Sequence, residues 1–120
     1  VIDTRATAER ALAATRDGEA EAIVLAERSG LARFASSDVH QPTLIENCIV
    51  IVRLVRDGRI GTAMTNRLDD NGLRAVLERA EEAAASSVAE PDFPGLPDPE
   101  PVPDVEGFDE ALADLGADEL

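Results

Sequence analysis

The sequence predicts an α+β fold: a mixed or antiparallel sheet of about four strands, two main helices packed on one face, and an extended proline-rich C-terminal arm. Three observations carry that prediction. The run Cys48-Ile49-Val50-Ile51-Val52 is apolar and mostly β-branched, as a buried strand requires. Asp57-Gly58 follows it, the preferred pair for a tight hairpin, and residues 60–66 return as a partner strand. On either side of this pair, residues 3–16 and the stretch after Asp69 repeat apolar side chains at helical spacing.

In chain order, residues 3–16 read as the first helix. Ala8, Ala11, Leu12 and Thr15 share one thin apolar face, and Asp17-Gly18 supplies a stop. Residues 21–28 then alternate, with Ile23 and Leu25 opposite Ala22, Val24 and Ala26. Ser29-Gly30 is a two-residue turn candidate leading into a second short strand to Ser36; closing a hairpin there sets Phe34 against Leu25. Ser36-Ser37-Asp38 interrupts the pattern, and Pro42 argues against a central strand at that point.

Residues 45–56 form the strongest strand, whose unbroken apolar centre implies cover on both faces. A two-residue loop at Asp57-Gly58 sets Val55 against Ile60, Arg53 against Thr62 and Ile51 against Met64. Asp69 is a good N-cap for the second helix, with Leu68 and Leu73 placed for a hydrophobic staple. Leu73, Val76, Leu77, Ala80 and Ala84 then give a core stripe through about residue 87.

From Glu90 the character changes. Six of the seven prolines lie between Pro91 and Pro103, which makes an extended, semi-rigid segment with no core of its own. Phe108, Leu112 and Leu115 at i, i+4 and i+7 suggest a short amphipathic helix. Two of the three phenylalanines, Phe93 and Phe108, fall in this tail, which favours an arm that docks over a purely solvated end. The domain boundary is accordingly set at 1–90 and 91–120.

Charge is divided in the same way. All eleven basic residues are Arg, and residues 1–79 hold them against 12 acids, for a net of −1. Residues 80–120 hold 13 acids and no base, a net of −13. A polyanionic segment repels phosphate backbones and anionic lipid heads, so nucleic acid and membrane surfaces are poor partners. No run approaches the ~20 apolar residues of a membrane span. The single cysteine excludes an internal disulfide and fits a reducing cytoplasm. The first residue is Val1, which leads to the expectation that the coding start lies upstream or has been removed.

Residues for chemistry are scarce. One His and one Cys cannot supply the converging ligands of a zinc site, and no HExxH-type pair is present. Cys48 lies in the most apolar strand and reads as a small buried hydrophobe; His40 reads as a loop residue beside Gln41. Gly58 and Gly61 belong to a hairpin and Gly72 to a helix start, so none makes a phosphate loop. The catalytic and metal-ligand sets expected within this chain are therefore empty.

One ordered series of motifs points further. Arg28-Ser29-Gly30-Leu31-Ala32-Arg33-Phe34 and Val39-His40-Gln41 come first, then Arg56-Asp57-Gly58-Arg59-Ile60-Gly61. Thr65-Asn66-Arg67-Leu68-Asp69 and Pro91-Asp92-Phe93-Pro94-Gly95-Leu96-Pro97 follow. Over about residues 20–100 this series resembles the TldD/PmbA family, also called modulator of DNA gyrase or peptidase family U62. The resemblance implies an N-terminal α/β domain, with a 91–120 linker arm leading to a larger C-terminal domain. In catalytic members that second domain holds zinc through a His-Glu-x-x-x-His motif, which is not found here. It also implies a dimer with another TldD/PmbA-like subunit and cleavage of unfolded peptides by the complex. The gyrase label reflects genetic naming, and nothing in these residues suggests binding to DNA.

On this reading the chain is a non-catalytic domain that helps wall the peptide path and the subunit interface. Arg33, Phe34, His40, Gln41 and Asn66 are the candidate peptide or subunit contacts, since the family-like motifs concentrate there outside an obvious core stripe. Packing within hairpin and loop is the competing role for all five. The alternative function is an acidic protein-interaction module with no protease context, its tail binding a basic partner.

Overall fold

The computed structural model describes residues 2–116 and residue 119. Its elements run α1 (Thr4–Leu12), β1 (Glu19–Ala35), β2 (Asp38–Arg56), β3 (Arg59–Thr65), α2 (Asp70–Ser86) and α3 (Glu110–Ala113). The three strands form one sheet in the order β1-β2-β3. The α+β class expected from the sequence is present, with three strands in place of four.

The lost strand has a clear cause. β1 passes through Ser29-Gly30 without turning, and the chain reverses at Ser36-Ser37, where both residues have positive φ (53° and 65°). Two successive left-handed residues make the primed turn that matches strand twist. Phe34 therefore does not pair with Leu25 across a short hairpin. Pro42 lies inside β2, yet β3 pairs only with Val50–Arg56, so the missing proline N–H faces no β3 partner. The β2–β3 hairpin has the expected register: Val55 opposite Ile60, Arg53 opposite Thr62, Ile51 opposite Met64. Its turn residues Asp57 and Gly58 both take positive φ (52° and 70°).

The chain divides into two compact units. The first comprises the chain up to Ala26 together with Asn47–Asp98. Its core joins Ala11 of α1, Val50, Val52 and Leu54 of β2, and Leu73, Val76, Leu77, Ala80 and Ala84 of α2. Ala20, Ala22 and Val24 of β1 pack against that cluster from the same sheet face. Val50, Val52 and Leu54 have no solvent exposure, while Ile49 and Ile51, at the alternate positions, are only half-buried. Over residues 48–52 full cover thus comes from one face, not the two expected, although Val55 on the alternate positions is also buried. A sheet backed by a helix satisfies its strand centre on that side alone.

Close approach of α2 to β3 depends on Gly61. A Cβ built there would overlap the backbone of Ala80 and Ala84, so small residues on both elements set the spacing. α2 starts as expected: the Asp69 carboxylate accepts from the Gly72 N–H at 2.8 Å, and the backbone hydrogen bond holds its carboxyl below the usual range. α1 is shorter than residues 3–16. Asp3 caps it, accepting from Ala6 N–H at 2.9 Å, and tight turns from Ala13 N to Arg10 O and Thr15 N to Leu12 O end it before Gly18. Arg10 ties the two helices, reaching Asp70 at 2.5 Å and Leu68 O at 3.1 Å.

Residues 87–98 remain with the first unit. Glu90 N donates to Gly58 O at 2.8 Å, and Leu96 N donates to Glu19 Oε2 at 2.8 Å, pinning the proline segment at two points. Phe93 and Leu96 are half-buried there. The second unit comprises Glu27–Glu46 and the residues from Pro99 onward. It contains the far end of the β1–β2 hairpin and α3, a single turn in which Phe108 precedes the helix at 82% exposure. The Arg28 guanidinium donates to Ala113 O within this unit and sits 3.5 Å from Glu46.

Candidate functional site

Four of the five candidate contacts, Arg33, Phe34, His40 and Gln41, flank the Ser36-Ser37 turn, and Asn66 belongs to the other unit. By the geometry of a two-residue loop, Phe34 stands across from Val39 and Arg33 across from His40. All four of these side chains are exposed, Phe34 to 67%. Among the described residues neither Arg33 nor His40 has an ion-pair partner. The hairpin end therefore offers an aromatic surface beside an uncommitted guanidinium and imidazole.

Gln41 adds a local distortion. It has φ 52° inside β2, outside any turn, and it precedes Pro42. A Cβ disfavours the left-handed region and a following proline narrows the choice further, so the conformation costs about 1–3 kcal/mol. The Thr43 hydroxyl lies 3.5 Å from the Gln41 carbonyl oxygen it donates to. A left-handed residue inside a strand is the local geometry of a bulge.

Asn66 is exposed in the bend between β3 and α2. Its neighbours organise the helix start: Arg67 N donates to Thr65 Oγ1 at 3.1 Å, and the Arg67 guanidinium lies 3.3 Å from Asp69. Gly72 closes this corner, since a Cβ there would press on Arg67.

Cys48 is buried in the first unit, as the sequence implied. Among the described residues no group of three or more His, Cys, Asp or Glu comes together as a metal site. The donor set among the described residues does not fit the zinc that the family resemblance associates with catalytic members. No helix among the described residues is long and apolar enough to cross a membrane.

The position of Val39 opposite Phe34 depends on the turn at Ser36-Ser37, so strand periodicity alone does not pair the two. That turn lacks the Asn-Gly or Asp-Gly pair that announces a primed turn. The strained backbone of Gln41 has no sequence signal beyond the proline after it.

Comparison with known proteins adds three findings. Residues 20–84 match the family described as PmbA/TldA metallopeptidase domain 1. A search of curated protein sequences returns no match. Among solved structures, the chain is similar to the crystal structure of TldE from Thermococcus kodakarensis, with a TM-score of 0.75 at 18% identity. That likeness covers 82% of this chain and 22% of the TldE chain, so it is a likeness of fold over a minor part of a longer protein.

Proposed function

The chain belongs to the PmbA/TldA metallopeptidase domain 1 family, and we propose that it serves as a non-catalytic N-terminal domain of a TldD/PmbA-type protease or of its metal-free partner subunit. In this reading the domain walls part of the path taken by an unfolded peptide and contributes to contact with a second TldD/PmbA-like subunit, in the cytoplasm. The observation that carries it is the hairpin end. Arg33, Phe34, His40 and Gln41 lie in the family-matched stretch, yet they are turned to solvent around a strained strand. Residues whose task is packing sit in the helix-backed core, as Leu54 and Val76 do.

The chemistry suits an extended chain. Phe34 and Val39 present apolar surface to a side chain, and Arg33 and His40 supply donors for peptide carbonyls or a carboxylate. The backbone distortion at Gln41 is a fixed feature that such a contact can use without an ordering cost.

Replacement of Arg33 and His40 by alanine in the full-length protein tests the proposal. Slower cleavage of an unstructured peptide, or weaker subunit assembly by sedimentation, is the expected result. Unchanged cleavage together with unchanged assembly overturns it.

A further inference from the structure

The proline segment after α2 is held at its far end by a single side chain, Glu19, the first residue of β1. Local contacts place that residue: the Arg56 guanidinium donates to Asp17 O at 3.1 Å and holds the turn that leads into the strand. Among the described residues the Glu19 carboxylate pairs with no Arg. It accepts instead from Leu96 N, at 2.8 Å from Oε2. Gly95 makes this approach possible. Its φ is 94°, and a Cβ there would stand 3.0 and 3.2 Å from the two carboxylate oxygens. Any side chain at this position would be strained and would crowd Glu19. Pro94 and Pro97 have no N–H, so Gly95 and Leu96 carry the only backbone donors of residues 94–97.

We propose that Glu19 and Gly95 form a clasp, which turns residues 91–96 from a free proline-rich linker into a strap that opens and closes on the first unit. Burial marks where the strap ends. Phe93 and Leu96 are half-buried, residues 97–112 are all exposed, and the compact unit stops at Asp98. The near end is fixed by Glu90 N on Gly58 O and by the Arg59 guanidinium on Ser87 O. Beyond Phe93 the strap makes one hydrogen bond among the described residues, the one to Glu19. A bond to a carboxylate is charge-assisted, and the prolines leave little conformational freedom to lose, so one contact suffices to close the strap. Breaking that one contact opens it locally, without unfolding the core. Opening frees residues 91–97, which adds about 20 Å of reach to the chain beyond them at the rise of an extended proline-rich segment. The clasp is independent of the hairpin reading, since none of its residues lies in the second unit.

Proton–nitrogen NMR of the 120-residue chain tests the clasp through the Leu96 amide. Its hydrogen exchange should be at least about tenfold slower than in an unstructured chain, and Glu19→Ala and Gly95→Ala should each abolish that protection. Glu19→Gln keeps an acceptor oxygen and should retain part of it. The amides of Val52 and Leu54, in the strand paired with Ala63 and Gly61, report that each variant stays folded. Exchange of Leu96 at the unstructured rate in the unaltered chain overturns the proposal. Protection that survives in either alanine variant also overturns it, because the strap would then be held by something other than the clasp.

Discussion

Leu54 and Phe34 are both large apolar side chains on long strands of one sheet, but they have opposite environments. Leu54 has no exposure and is enclosed with Val76 and Leu77 of α2; Phe34 is 67% exposed at the end of a hairpin. The contrast extends to the two units that hold them. The first gains a core from three strands, α1 and α2. In the second, Leu31, Phe34, Val39, Leu44 and Ile45 of the hairpin are all exposed. A two-stranded ribbon of that kind is marginally stable in water. The first unit has a core of its own, and the hairpin end leaves its apolar side chains open to solvent.

The strongest way to break the comparison is to separate α2 from the sheet. Gly61→Val forces a side chain into the Ala80 and Ala84 backbone, and urea denaturation should show a loss of about 3 kcal/mol or more, or no cooperative transition. Leu54→Ala empties a fully buried position and should cost about 2–5 kcal/mol by the same measurement. A loss under about 1 kcal/mol would show that the core is not closed as described.

Asp69 provides a pH-dependent test in the same unit. Its carboxyl is held below the ordinary range, chiefly by the Gly72 backbone N–H and then by the Arg67 charge. A depressed folded-state value means the contribution is present above the unfolded value near pH ~4 and is lost as pH falls through the lower folded value. Asp69→Asn keeps a capping oxygen but cannot titrate, so acid unfolding curves should flatten below about pH 4 with little change near neutrality. An unchanged acid limb would remove Asp69 from the account. The smallest effect belongs to the other unit: Phe34→Ser should leave urea stability within about 0.5 kcal/mol. A larger loss would show that Phe34 supports the fold.

The sequence was most legible where local chemistry and tertiary packing agree. Asp57-Gly58 set the β2–β3 register residue by residue, and Asp69 with the Leu73-to-Ala84 stripe located α2. It misled where two turn signals competed. Ser29-Gly30 contains the glycine that turns favour, yet the chain turned at Ser36-Ser37, two residues with Cβ atoms that accept positive φ. That choice turned four strands into three. The apolar run 48–52 implies cover on both faces, because an unbroken apolar run does not say which layers cover it. Motif resemblance marks the hairpin-end residues, whereas Gln41's left-handed backbone has no composition or period that announces it.

Hydrogen exchange of the backbone amides most directly tests whether one unit holds the fold and the hairpin end does not. In the 120-residue chain, amides of β3, α2 and the Val50–Arg56 stretch of β2 should exchange only through global unfolding. Amides of residues 27–46 should exchange orders of magnitude faster, through local opening. Equal protection of residues 27–46 and the Val50–Arg56 stretch would contradict the account, because the hairpin would then be part of the same cooperative core.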